Sequence, residues 1–510
     1  VGPPAPCEEP PGHGYDDASG IAGLDFVHRV GDLDGRALGY WTKIFGAGVV
    51  AADLDGDGHD DLYFPAHLGA DGLFWGRGDG TFEVGVAPGS PLDVALAAST
   101  ADFDGDARLD LLVLGENLVR LYRNEGSRGF AEVALPVAAD VGVATTSAWA
   151  DWDGDEDLDL FVGIYSTDTP DEQKEALGDL ALPNLWLRND GDAGFVDLGD
   201  VSPDGAGLPL HALFRDFDRD GDPDLLQVND FGAELPRTTM LWLNDDGDWT
   251  DGAADAGLGV LEFPMGALYA DLDGDQREDL WFSNIGGTRA FRGMGAGVWS
   301  EVSLEWAADL PSDDLAVSWS VIDVDPDGDG HPGVFLTYSP MGEDPALDED
   351  SPFFDQPDRL LFPATCLDAG PFAQAPQSLA GPGSGNSRGV AEADFNSDGV
   401  PDLVVAGMNE APLILNGRPG GGTRLAVRLD DGASANRFGI GARVTVSAGG
   451  GTWSKELGAG GRGSQSGEGP VLRFAMGDAT EVDEIEVRWP DGEVGSYEAT
   501  CVDCGVTLQR

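Results

Sequence analysis

The sequence predicts an all-β chain: a seven-bladed β-propeller over residues 21–417, then a small β-sandwich or barrel over residues 421–500, with tails at 1–20 and 501–510. Three observations predict it. An acidic nine-residue string recurs seven times, each copy runs into a β-rich stretch, and Asn/Asp/Gly turns separate those stretches. The copies are 49 residues apart at the closest (Asp53 to Asp102) and 69 at the widest (Asp325 to Asp394). Short strands between turn signals at that pitch indicate four-stranded units that bury their faces only against one another.

The string is D-x-D-x-D-x-x-x-D. Copy one holds Asp53, Asp55, Asp57 and Asp61, and copy two Asp102, Asp104, Asp106 and Asp110. Copy three holds Asp151, Asp153, Asp155 and Asp159, copy four Asp216, Asp218, Asp220 and Asp224, and copy five Asp271, Asp273, Asp275 and Asp279. Copy six fits with Asp325, Asp327 and Asp329 at positions one, three and five and Gly333 at nine. Pro332 then takes position eight, as Pro223 and Pro401 do elsewhere, which supports that register. Copy seven reads Asp394, Asn396, Asp398 and Asp402.

Four carboxylates within a few ångströms repel strongly unless a cation sits between them. Oxygen donors without Cys or regularly placed His select Ca²⁺, up to seven ions, over zinc or copper. Position seven is expected to lend its backbone carbonyl, from His59, Arg108, Asp157, Asp222, Arg277, His331 and Val400. An EF-hand loop carries Glu at position twelve; here Phe64, Val113, Val162, Gln227, Phe282 and Val405 stand there, so the loop runs into a strand. Solvated Asp/Gly turns without metal are the alternative reading of any single copy. Gly333, and Ala107, Glu156 and Gln276 at the Gly-favouring sixth position, mark the expected weak sites.

Small, apolar stretches precede the loops, as at residues 48–52, 146–150 and 266–270. Apolar strands follow at 62–64, 111–114, 160–162, 225–228, 280–282 and 403–405. The last repeat ends near Asn416, so residues 21–28 read as an isolated outer strand that completes the seventh unit. With the acidic loops joining strands one and two, insertions at about residues 165–183, 229–239 and 339–358 crowd the opposite face. A partner-binding face is expected there, including Tyr165, Phe231, Phe353 and Phe354. Neutral insertions at tolerant loop tips are the alternative.

Composition bounds the function. The 510 residues carry 28 Lys+Arg against 93 Asp+Glu, a formal net charge of −65, with lysine only at 43, 174 and 455. Nucleic acid and anionic lipid are poor partners for such a surface. Hydrophobic residues make up 41%, enough for ordinary cores, and no apolar run approaches the ~18–20 residues of a membrane span. The sequence begins at Val1 with no basic-then-apolar leader, the expectation for a processed chain, which leaves export open. Cys7, Cys366, Cys501 and Cys504 allow three pairings. The C-x-x-C lacks the partners of a zinc site and the strand-to-helix setting of a redox motif, so a structural disulfide is expected, with unpaired thiols the alternative.

Beyond residue 420, alternating strands are expected at 425–429, 442–446, 471–474 and 485–489. The Gly-rich stretch 458–469 reads as a loop without the context of a phosphate cradle.

The repeat region resembles the FG-GAP/VCBS repeats of integrin-α-like propellers. Residues 436–444, 463–465, 474–477, 482–487 and 488–492 resemble an ASPIC/UnbV domain. That order of parts is similar to the cartilage acidic protein family and its bacterial relatives; the Lys-poor composition points to a bacterial member. The resemblance implies a secreted, calcium-binding, non-enzymatic adhesion or recognition protein for an extracellular protein or glycan. A polysaccharide lyase or hydrolase on a propeller scaffold is the alternative, although no G-x-S-x-G or H-E-x-x-H is present. A purely structural matrix component is the third reading.

Overall fold

Apolar, β-branched strands interrupted by Asp/Gly turns cannot bury both faces alone, and among the described residues they do so in seven antiparallel sheets of four propeller strands, consecutive in six and joined by an N-terminal strand in the seventh. The computed structural model describes residues 14–30, 42, 44–166, 182–199, 201, 207–230, 239–259, 261–306, 308, 316–340, 356–363, 372–374, 385–498 and 501–510. Each acidic loop joins the first strand of a sheet to the second. The first strands are Val50–Ala52, Ala95–Ala101, Val143–Ala150, Pro209–Arg215, Pro264–Ala270, Ser318–Val324 and Ser387–Ala393. The second strands are Asp61–Phe64, Asp110–Gly115, Asp159–Ser166, Asp224–Asn229, Asp279–Asn284, Gly333–Tyr338 and Asp402–Gly407. Neighbouring first strands pack side by side, and the seventh packs against the first, which closes a ring.

Closure of the seventh sheet uses a different strand from the one the sequence indicated. Tyr15–Asp17 pairs antiparallel with Leu413–Gly417, whereas Ser19–Ala22 is a single helical turn. Gly23 follows at φ +78°, and His28 makes one isolated bridge to Met408. The reason is burial: Tyr15 is 1% exposed and stacks edge-on against Phe335 at 6.2 Å, while Ile21 is 67% exposed. The tail of residues 1–20 therefore contains the closing strand.

The C-terminal unit packs two sheets. Arg424–Asp430 lies between Leu472–Ala475 and Cys504–Gln509, and Arg443–Ala448 lies between Gly451–Glu456 and Glu484–Arg488, with Val494–Tyr497 outermost. Leu425, Val427, Val444, Val446, Phe474, Ile485, Val487 and Trp489 form its core. Residues 501–510, expected as a tail, are part of this unit. The alternation in Cys504–Gln509 buries Leu508, and the strand runs parallel to Arg424–Asp430. Cys501 and Cys504 form the expected disulfide at its start. Cys7 and Cys366 lie outside the described residues.

The Gly-rich stretch 458–469 is the element that positions everything else. It leaves the C-terminal unit and threads the ring from the acidic-loop side. Ala459–Gly460 pairs with Val143–Ala150, and Gly467–Glu468 pairs with Val50–Ala52. Gln465 Oε1 accepts the Gly46 N–H at 2.9 Å, and the Ser464 N–H donates to Ser320 Oγ at 2.9 Å. Glycine on the facing strand is required for this approach: a Cβ on Gly48 would lie 2.0 Å from the Gln465 carbonyl oxygen. The opposite end of the ring is filled by Ile44, Phe45, Leu96, Tyr165, Leu208, Leu210, Met265 and Trp319.

Candidate metal centres

The loops share a hydrogen-bond plan, set by carboxylates that fold the backbone around themselves, although Asp216 Oδ1 in loop four is buried without a partner. Position one is the hub. Asp53 accepts N–H groups from Gly56 at 2.8 Å, Asp57 at 3.1 Å and Gly58 at 3.0 Å. Asp151, Asp271 and Asp325 each accept the same three from their own loops. The match at Asp325 places copy six in the register read from its prolines. Position five then accepts the N–H of position seven throughout: His59, Arg108, Asp157, Asp222, Arg277, His331 and Val400 donate to Asp57, Asp106, Asp155, Asp220, Asp275, Asp329 and Asp398.

Wrapping the chain this tightly needs left-handed backbone at positions four and six. Position six is left-handed even at Ala107 (φ 67°), Glu156 (φ 74°) and Gln276 (φ 66°), so the missing glycines strain these loops without changing their shape. Position four went unread in the sequence, although glycine holds it in five copies and Arg219 (φ 68°) and Ser397 (φ 55°) follow the same backbone.

Position nine has a second role. Asp110 Oδ2 accepts the Phe103 N–H at 3.1 Å, and Oδ1 accepts the Asn124 N–H from the third strand at 2.7 Å. Asp61, Asp159, Asp224, Asp279 and Asp402 repeat this double acceptance. Burial pushes the carboxyls of Asp61, Asp110, Asp159, Asp224 and Asp279 up to about 8, and that of Asp402 to about 7. In copy six, Gly333 replaces this acid because a Cβ there would lie 2.5 Å from the Leu361 carbonyl oxygen.

An Asn ending the third strand binds one sheet to the next. Asn124 Nδ2 donates to the Leu54 carbonyl of the preceding loop at 2.6 Å, Asn189 Nδ2 to Phe103 at 2.9 Å, and Asn244 Nδ2 to Trp152 at 3.1 Å. The recurring Asn in residues 121–124, 185–189 and 241–244 was the available signal; it had been read only as a turn residue.

Donor oxygens converge from three of the four positions the spacing indicated: one, three and nine in copies two to five, without position five, and one, three and five in copy one, without position nine. Asp102, Asp104 and Asp110 offer atoms all within 4.8 Å of one another, as do Asp151, Asp153 and Asp159, Asp216, Asp218 and Asp224, and Asp271, Asp273 and Asp279. In copy one the convergent set is Asp53, Asp55 and Asp57. Asp273 Oδ1 is buried and accepts no hydrogen bond, although its partner oxygen receives Arg292 Nε at 2.9 Å. An all-oxygen cluster with a buried, donor-less carboxylate oxygen is the chemistry a hard cation satisfies. The side chain of His59 turns away from its loop, with Nδ1 3.4 Å from Ser397 Oγ.

The C-terminal unit covers part of this face. Arg424 Nη2 donates to the Pro326 carbonyl at 2.8 Å, and Trp453 Nε1 to the Gly330 carbonyl at 3.0 Å. A cavity of about 760 Å³ lies between the unit and the loops. Some of the acids lining it pair with cations: Lys455 pairs with Asp323 at 3.0 Å, and Arg462 pairs with Asp323, with Glu468 at 3.1 Å and with Glu392 at 3.6 Å. Arg443 joins Glu278 to Glu456. Burial alone would raise the Asp323 carboxyl, but Arg462 and Lys455 hold it well below the usual carboxylate range. Burial pushes Glu456 up to about 7 against the pull of Arg215 and Arg443.

Of the residues expected on the recognition face, Tyr165 is fully buried: its hydroxyl donates to Asp230 at 2.8 Å, and its ring meets Phe45 at 4.6 Å. It fills the ring instead of presenting a surface. Phe231, Phe353 and Phe354 lie outside the described residues. No helix among those residues is long and apolar enough to cross a membrane.

Residues 53–113 and 102–162 match the FG-GAP-like repeat, and residues 432–510 match ASPIC and UnbV. Over 335 residues, 61% of its length, the chain is 25% identical to cartilage acidic protein 1 of Xenopus tropicalis, of which it spans 38%. Among solved structures, it resembles an Agrocybe aegerita lectin described as recognising non-reducing terminal N-acetylglucosamine (TM-score 0.41, 17% identity, 70% of this chain and 88% of that one). It also resembles BBS1N in complex with ARL6DN (TM-score 0.43, 13% identity, 80% and 97%). A third is the extracellular domain of a hybrid two-component system from B. thetaiotaomicron (TM-score 0.41, 11% identity, 91% and 53%).

Proposed function

We propose that this chain, built from FG-GAP-like repeats and an ASPIC/UnbV domain, is a secreted or cell-surface recognition module whose propeller loops hold structural Ca²⁺. The observation that carries the reading is the repeated convergence of carboxylate oxygens, with Asp273 Oδ1 buried and donor-less at one of the centres. Ligands would come from positions one, three, five and nine and the position-seven carbonyl. Bound there, calcium neutralises each loop and ties the first strand to the second. The chain's own contribution is the wrapped backbone that holds those oxygens together before any ion arrives.

Recognition of an extracellular protein or glycan suits the charge, which disfavours polyanions, and the Cys501–Cys504 disulfide, which suits an oxidising compartment. Asp323, Glu392, Glu468, Glu278 and Glu456 in the cavity are paired with arginine or lysine, which suits a structural seam. Melting with and without a chelator tests the reading. Each site filled at ten times its dissociation constant adds about 1.4 kcal/mol, so several filled sites raise the midpoint by many degrees. An identical curve in chelator overturns it. A glycan and secreted-protein binding array, with and without calcium, tests the partner class.

A further inference from the structure

The seven loops are not equivalent, and the difference lies at position seven. In every loop the position-five carboxylate spends Oδ1 on the N–H of position seven, which leaves Oδ2 as the oxygen able to face an ion. In loop two the guanidinium of Arg108 sits on Oδ2 of Asp106, and in loop five that of Arg277 sits on Oδ2 of Asp275. Both side chains are held there from the other end. Arg108 Nε donates to the Asn124 carbonyl at 2.7 Å and Arg277 Nε to the Gly293 carbonyl at 2.8 Å, each on the third strand of its own sheet. Elsewhere position seven is His59, Asp157, Asp222, His331 or Val400, none of which brings a guanidinium.

We propose that Arg108 and Arg277 are built-in counter-ions that cap two of the seven loops, so that loops two and five hold divalent cations about tenfold or more weakly than the uncapped loops. The inference rests on the calcium reading above. The cap removes one ligand oxygen and one net negative charge from the site, and both lower affinity for a hard dication. In exchange, the two capped loops carry their own neutralisation. They stay formed when calcium is scarce, whereas loops without an arginine on a ligand oxygen depend on the ion; loop one is intermediate, with Arg128 Nε on Asp55 Oδ2 at 2.7 Å. Arg292 on Asp273 acts differently: it binds the outer oxygen and leaves the inner one, Oδ1, facing the centre.

The test is calcium titration of the full chain by calorimetry, with bound ions counted by equilibrium dialysis at a free concentration ten times the dissociation constant of the tight class. The double variant Arg108→Val, Arg277→Val gives position seven the residue found in loop seven. It is expected to retain about one more ion than the parent at that concentration if the cap weakens each site tenfold, and nearly two more if the cap weakens them a hundredfold or beyond, to melt lower in chelator and to melt higher in calcium. The reciprocal variant Asp157→Arg is expected to lose about half an ion or more at that concentration, which keeps the proposal testable should the double variant fail to fold. Seven equally tight sites in the parent, or an unchanged count in the folded variants, overturns the cap while leaving the calcium reading intact. A parent that binds no calcium overturns both.

Discussion

A carboxylate at position three and one at position nine look alike in the sequence and do different work. Asp153 reaches the loop centre and pairs only loosely with Arg188, at 3.8 Å. Asp279 spends both oxygens on the N–H groups of Leu272 and Gly293, at 2.9 and 2.8 Å. A buried hydrogen-bonding group left without its partner costs about 1–3 kcal/mol. Asp279→Ala is therefore expected to cost about 3 kcal/mol or more already in chelator and to lose further stability in calcium as a ligand, whereas Asp153→Ala lowers stability only when calcium is present. Denaturant melts of both variants in both media check this; equal stability of the two variants in chelator would refute it. The same burial sets a pH dependence. Position-nine carboxyls at about 8 in the folded, ion-free chain and about 4 when unfolded mean that the folded state holds protons the unfolded state has lost. Stability in chelator then falls as pH rises through that window. Saturating calcium reverses the slope, because protons must displace the ion. Melting midpoints at both ends of the window, in each medium, read this directly. Spacing made the acids legible as ligands. The second duty of position nine was hidden because its partner, the third-strand N–H of Asn124 or Gly293, lies 14 residues away in a neighbouring strand.

Strands were legible wherever alternation or an apolar run was long, and illegible where three residues suffice. Tyr15–Asp17 has too few residues to show a period, and its only apolar side chain is Tyr15. Residues 21–28 offered more hydrophobic surface, yet Gly23 at φ +78° breaks the extended path. The short strand nonetheless closes the ring: the Asp16 carboxylate accepts Arg418 Nη2 at 2.8 Å, and the Ala18 N–H donates to the Ile414 carbonyl at 2.8 Å. A chain starting at Ser19 loses the three pairs and the buried tyrosine, and full burial of a large side chain is worth about 1.5–3 kcal/mol. Its melting midpoint is expected to fall by several degrees relative to a chain starting at Gly14. Matching midpoints would show that the seventh sheet closes without this strand. Cys504–Gln509 went unread for a related reason: its alternation starts at a half-cystine and buries one residue fully, Leu508.

At the scale of the molecule, composition and repeats gave no sign of how the repeat region and the C-terminal unit join. Gly-rich sequence is read by default as a flexible connector, yet residues 463–467 are buried because small side chains are what the crowded centre of the ring admits. Arg462 stands at the base of that insertion and is the sole cation shared by Asp323, Glu392 and Glu468 in the described seam. Removing one partner from a buried ionic cluster leaves the others uncompensated, at about 3–5 kcal/mol. Arg462→Ala is therefore expected to destabilise the propeller as well as the C-terminal unit, although the residue belongs to the latter by sequence. Calorimetry of the parent should show one cooperative transition in calcium, and Arg462→Ala should lower it or split it, with the propeller component shifting too. A parent with two independent transitions, the lower one alone moved by Arg462→Ala, would mean that the inserted loop is a tether and not part of the ring's core.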